Sequence, residues 1–183
     1  MNAGTDRGRR VLRPANYHPG SPGKGVFEGA TASGVHFAVM NLQGSIFMNT
    51  PSDPFHTADA LLAQISAKVI LVDFHAEATS EKCALGWHLD GRATAVLGTH
   101  THIPTADERI LPGGTAYQTD VGMSGPYDSI IGVEKDLVIR RFLTGMPGKF
   151  EAAKGNPKMC AALIACDPLT GRASTIQRIM LGE

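Results

Sequence analysis

Two short stretches constrain what this chain can fold into: VILVDFH at 69–75 and AVLGTHTH at 95–102. Each begins as an apolar, β-branched run, the composition of a strand, and each ends in histidine. Residues 77–90 between them carry helical spacing, so the unit reads strand–helix–strand. That crossover makes its two strands parallel. Parallel sheets gather their sites at the carboxyl ends of the strands. His100 and His102 are two apart, and an extended chain points both to one face. His75 arrives from the neighbouring strand end. The spacing therefore predicts three imidazoles at one sheet edge, the pattern of a metal site. Imidazole suits zinc, iron, manganese and nickel alike, so ligand type does not choose the ion. His18, His36, His56 and His88 have no such setting and are read as surface or hydrogen-bonded residues.

Composition narrows the class. At 183 residues the chain suits one domain, 1–183, with a core of useful size. Lys plus Arg equals Asp plus Glu at 17 each, so nothing marks a polyanion-binding surface. Residues 1–10 are charged, without the apolar centre of a secretory signal, and are read as a tail. No apolar run approaches the ~18–20 residues of a membrane span. Cys83, Cys160 and Cys166 are odd in number and lack C-x-x-C spacing, against both a disulfide framework and a cysteine zinc site. The expectation is a soluble protein of the reducing cytoplasm, with no membrane partner.

The rest of the chain supplies the frame. Residues 16–25 (NYHPGSPGKG) must be loop, and 26–29 with 35–42 suggest a hairpin. After a Pro-rich loop at 50–54, the apolar positions 61, 62 and 65 predict a short helix over 59–67. In the helix between the histidine strands, Thr79 or Ser80 is placed to cap, with Glu81 and Lys82 on the solvent side. A broken loop follows His102. Then come a strand at 115–121, the Gly-rich turn TDVGMSGPYDSIIG, an amphipathic helix at 134–143, and a closing hairpin of 159–166 with 174–180. The order describes a mixed α/β sheet. Asp73, Glu77, Asp107 and Asp120 flank the histidine edge as candidates to orient the imidazoles. Asp90, Asp128 and Asp136 are read as caps or solvated groups. Cys83, inside a helix with no evident partner, is a poor nucleophile. Walker, dinucleotide and G-x-S-x-G motifs are absent.

The runs LRPANY (12–17), VDFHAEATSEK (72–82) and DGRATAVLGTHTHIPTADERILPGGTAYQTDVGMSGPYDSIIGV (90–133), with the closing hairpin, resemble the YmdB-like family of calcineurin-type metallophosphoesterases. The likeness runs from about Val11 to the end. It implies a sheet sandwich flanked by helices and hydrolysis of 2′,3′-cyclic nucleotides at the 2′ position. It also implies a two-metal centre, of iron or manganese, to which His75, His100 and His102 contribute. Family members open with G-D-x-x-G, G-E-N and G-N-H segments that supply further ligands, and none of these occurs here. The resemblance is thus to the C-terminal two thirds of such an enzyme, lacking its N-terminal βα units.

Three neutral histidines supply no bridging carboxylate, so the expectation is weak or no turnover by this chain alone. The alternatives are a non-catalytic remnant that serves as a binding or interaction module, and a mononuclear hydrolase using the three histidines. A bare edge or face is expected on the sheet of 69–72 and 95–97, leading to self-association as a homo-oligomer, to aggregation or to partial unfolding around 1–25. The missing N-terminal segment is a further candidate partner.

Overall fold

The computed structural model describes residues 11–182; the tail expected at 1–10 lies outside them. Its main sheet has six strands. They are β1 (Val26–Ala30), β2 (His36–Gln43), β3 (Val69–His75), β4 (Ala95–Thr99), β5 (Arg109–Ile110) and β6 (Ala116–Gln118). Their order across the sheet is β1-β2-β3-β4-β6-β5. The inner four run parallel, and β1 and β5 close the two edges antiparallel. Three helices, α1 (Pro54–Leu62), α2 (Thr79–His88) and α3 (Lys135–Thr144), complete the frame with a second sheet. That sheet is β7 (Gly125–Pro126), β8 (Pro157–Cys166) and β9 (Ala173–Gly182), in that order.

Alternation along β3 sets the two layers. Ile70, Val72 and Phe74 are buried and join Met40, Leu42, Leu85, Leu89 and Val96 in the main core under the helices. Leu71, on the opposite face, packs with Leu97, Ala95 and Ala116 against Ala173, Ile164 and Ile176 of the second sheet. The three alanines lie where the two layers meet, because small side chains let two backbones approach.

The crossover, the opening hairpin and the closing hairpin stand as the sequence predicts them, within the usual slack of element ends. The strand expected at 115–121 is shorter, ending at Gln118, and runs parallel to β4. Other expectations are corrected. The first helix is not at 59–67 but starts at Pro54, because Asp53 caps it, accepting from the His56 N–H at 2.8 Å, and Pro54 takes the first turn. The stop at Leu62 leaves Ile65 to reach the core from the following loop. In α2 neither Thr79 nor Ser80 caps; Ala78 holds that position with no side-chain bond. Glu81 and Lys82 are not solvent-facing but among the most buried charged groups described, at 4% and 1% exposure. The strands at 69–72 and 95–97 present no bare edge either. β2 pairs with β3 from Phe37↔Val69 to Gln43↔His75, and β6 covers β4. Among the described residues, no helix is long and apolar enough to cross a membrane.

Candidate active site

The carboxyl edge of the parallel strands carries a line of polar side chains. Register pairs His75 with Thr99 and places Asp73 on the same face, two residues earlier. The Asp73 carboxylate accepts from Asn41 Nδ2 at 2.7 Å and from Thr99 Oγ1 at 2.9 Å. Having given its proton to Asp73, Thr99 Oγ1 is free to accept from His75 Nδ1, 3.2 Å away. That leaves His75 Nε2 as the acceptor facing His100 Nδ1 at 3.1 Å. The two rings meet edge to face, 88° apart, with centroids separated by 4.8 Å. His100 Nε2 then meets Glu77 Oε2 at 2.8 Å. Burial, and next the neighbouring His100, hold the His75 imidazole below its ordinary pKa. The neutral ring is the form that binds metals, and its Nε2 lone pair here faces His100 Nδ1.

His100 and His102 do not share a face as an extended H-x-H would. β4 ends at Thr99, and both histidines have positive φ, 112° and 67°. The Asp120 carboxylate captures the Thr101 N–H between them at 3.0 Å, which breaks the strand there. His100 turns to His75, while His102 Nδ1 turns to the Ile131 carbonyl at 2.8 Å.

Two imidazole nitrogens bound to one ion at ~2.0–2.1 Å lie about 2.8–3.4 Å apart. The His75–His100 separation of 3.1 Å falls in that range, so the pair matches two neighbouring ligands. A resident ion needs three or four. Among the described residues, no three His, Cys, Asp or Glu side chains gather closely enough to hold one. The arrangement supplies a ligand pair, not a complete centre.

Of the four carboxylates placed near this edge, Glu77 meets an imidazole directly and Asp73 reaches one only through Thr99. Asp107 instead binds the Thr119 N–H at 3.1 Å and the Thr119 hydroxyl. Asp120 holds the backbone of the histidine turn. Asp90 caps the Gly113 N–H at 2.7 Å. Cys83 is not without a partner, since the Tyr117 hydroxyl donates to its sulfur at 3.4 Å. Lys82 was missed. Its Nζ reaches Asp120 Oδ2 at 2.8 Å, with both side chains 1% exposed. The available signal was Gly98 inside an apolar strand, a sign of close approach by another group.

Fold and site together define an α/β protein whose parallel strands deliver a polar, histidine-bearing edge beneath a helix layer. The chain belongs to the YmdB-like protein family, which matches residues 1–179, a likeness beginning ten residues before Val11. It is 50% identical over 175 residues to a 2′,3′-cyclic-nucleotide 2′-phosphodiesterase of Bacillus subtilis, covering 94% of this chain and 66% of that protein. It is 36% identical to a putative phosphatase/phosphodiesterase of Mycoplasma pneumoniae, covering 94% of this chain and 64% of the relative. The chain thus spans just under two thirds of these curated relatives. A crystal structure of a hypothetical protein from Thermus thermophilus superposes with a TM-score of 0.90 at 48% identity, over 94% of this chain and 68% of the other. A crystal structure described as a novel phosphatase of Mycoplasma pneumoniae does so with a TM-score of 0.87 at 33% identity, over 95% and 64%.

Proposed function

We propose that this domain serves metal-dependent phosphodiester hydrolysis, with a 2′,3′-cyclic nucleotide as substrate. In that reaction water adds to phosphorus and the P–O2′ bond breaks. The 2′ oxygen leaves with a proton, and a 3′-nucleotide remains. The observation that carries the reading is the His75–His100 contact at the carboxyl ends of two parallel strands, at the distance two ligands of one ion keep. The names of the relatives support the substrate class. His75 and His100 are assigned as adjacent ligands of an iron or manganese ion, which takes the place of the proton between His75 Nε2 and His100 Nδ1. His102 is assigned as a third that must first give up its bond to the Ile131 carbonyl. Donors beyond these three are required for a second ion, so no catalytic step is derived through the metals. Three thiols without disulfide partners among the described residues agree with a reducing, cytoplasmic setting.

The test is direct. The chain is loaded with manganese or iron and given 2′,3′-cyclic AMP or bis-p-nitrophenyl phosphate, beside a His100→Ala variant. Metal uptake that depends on His100, with slow formation of 3′-AMP above the variant's level, is expected. Equal metal uptake and equal product from both chains would overturn the reading.

A further inference from the structure

We propose that Glu81 and Lys82, neighbours in the first turn of α2, form a two-armed brace that sets the loops around the histidine pair. Both are then positioning residues for the hydrolysis proposed above, on which this inference rests.

One arm is Glu81. Its Oε1 accepts from the Ser45 N–H at 2.8 Å and the Ser45 hydroxyl at 2.9 Å, and its Oε2 accepts from the Ile46 N–H at 3.4 Å. These groups belong to the loop that leaves β2, whose Gly44 N–H binds the His75 carbonyl at 3.0 Å. The other arm is Lys82, which acts through Asp120. Asp120 Oδ2 takes both the Lys82 ammonium at 2.8 Å and the Thr101 N–H at 3.0 Å, while Oδ1 takes the Gly122 N–H at 2.9 Å. Thr101 lies between His100 and His102 in the loop leaving β4, and Gly122 lies in the loop leaving β6. A single helical turn thereby pins the loops that follow three strands, those on either side of β3 and the next one out.

Both arms run close past glycines. A Cβ on Gly44 would sit 2.4 Å from Glu81 Oε2, and one on Gly98 would sit 1.7 Å from the Thr119 carbonyl oxygen and 3.0 Å from Lys82 Cδ. Buried charge is a costly way to fill a core, and apolar side chains of like volume often do so with equal or better stability. Here the brace's bonds end almost wholly on loop backbone N–H groups, directly or through Asp120. That placement specifies loop geometry rather than bulk packing.

The test uses the full chain without metal. Lys82→Met with Asp120→Ala removes one arm and leaves neither charge unpaired, and Glu81→Ala removes the other. Should the double variant lose cooperative unfolding, Lys82→Gln with Asp120→Asn replaces it. Long-range 1H–15N correlations read the ring nitrogens of His75 and His100, amide exchange reads Ser45, Ile46, Thr101 and Gly122, and calorimetry reads manganese affinity. The expected result is cooperative unfolding retained, with shifted or broadened His100 ring signals. Exchange at Thr101 and Gly122 and the loss of manganese affinity should both change about tenfold or more. Ring signals identical to the parent chain in a folded variant would overturn the proposal. So would loss of cooperative folding in both replacements, since the pair would then hold up the core. If the rings respond but the parent chain neither binds manganese nor hydrolyses a phosphodiester, the brace stands as the device that positions the histidines and the hydrolytic reading falls.

Discussion

His75 is third in a line of five hydrogen-bonded side chains, Asp73–Thr99–His75–His100–Glu77, and its chemistry depends on both neighbours. Replacing Thr99 by Val keeps the shape but removes the oxygen that faces His75 Nδ1 and strands one Asp73 acceptor. The expected cost is about 1–3 kcal/mol of unfolding free energy in urea titrations, with a changed tautomer pattern at His75 in NMR spectra. The lowered pKa of His75 fixes the sign of a pH effect. Its unfolded value is about 6.5, so the stability it contributes is complete above that pH and is lost as pH falls through the lower folded value. His75→Gln should therefore flatten the stability curve below pH ~6.5. Asp120 behaves alike in the acid range. Burial pushes its carboxyl up, but the Lys82 ammonium and the Thr101 and Gly122 N–H groups outweigh that and hold it low. Its contribution should persist above pH ~4 and fade below.

At the scale of elements, α2 does two jobs. Its middle packs Leu85 into the core and sets Gly86 against the Tyr117 ring, where a Cβ would lie 2.5 Å from the ring carbon Cδ2. Its first turn sends two charged side chains past glycines to the strand ends. Gly98→Ala would put a methyl 1.7 Å from the Thr119 carbonyl oxygen, so either β4 or the Thr119 backbone must move. A loss of about 1–3 kcal/mol is expected, visible as a lower melting temperature. The start of α1 makes a contrasting case, because its cap lies at an exposed corner. Asp53→Ala should cost only about 1 kcal/mol there and leave the histidine signals unchanged.

For the whole molecule, the decisive contact is between the main sheet and the closing hairpin. Ala95, Ala116 and Ala173 meet there, the first two wholly buried. Ala116→Leu should wedge the two layers apart and cost about 1–3 kcal/mol, with loss of near-ultraviolet dichroism that exceeds the loss of secondary structure. Among the described residues β3 lies between β2 and β4, and β1 and β5 run antiparallel at the two edges.

The strands, the crossover and the histidine ends were legible in the amino-acid order because they follow from local rules. β-branched runs make strands, a helix between two of them makes the pair parallel, and parallel strands present their carboxyl ends as a site. The meeting of His75 and His100 at one sheet edge could be expected on that basis. Helix α1 begins early because a cap and a proline outweigh the apolar spacing after them, a signal that the amino-acid order itself carries at Asp53-Pro54. Two matters were decided only in the folded chain. The H-x-H pair diverges because Asp120, eighteen residues beyond His102, captures the Thr101 N–H and ends the strand. Glu81 and Lys82 are buried because loop N–H groups and Asp120 receive them, beside Gly44 after β2 and Gly98 in β4. Local periodicity reports which face of a helix can be wet, but a charged side chain's fate depends on whether a distant partner and a space await it, and only tertiary packing brings those together.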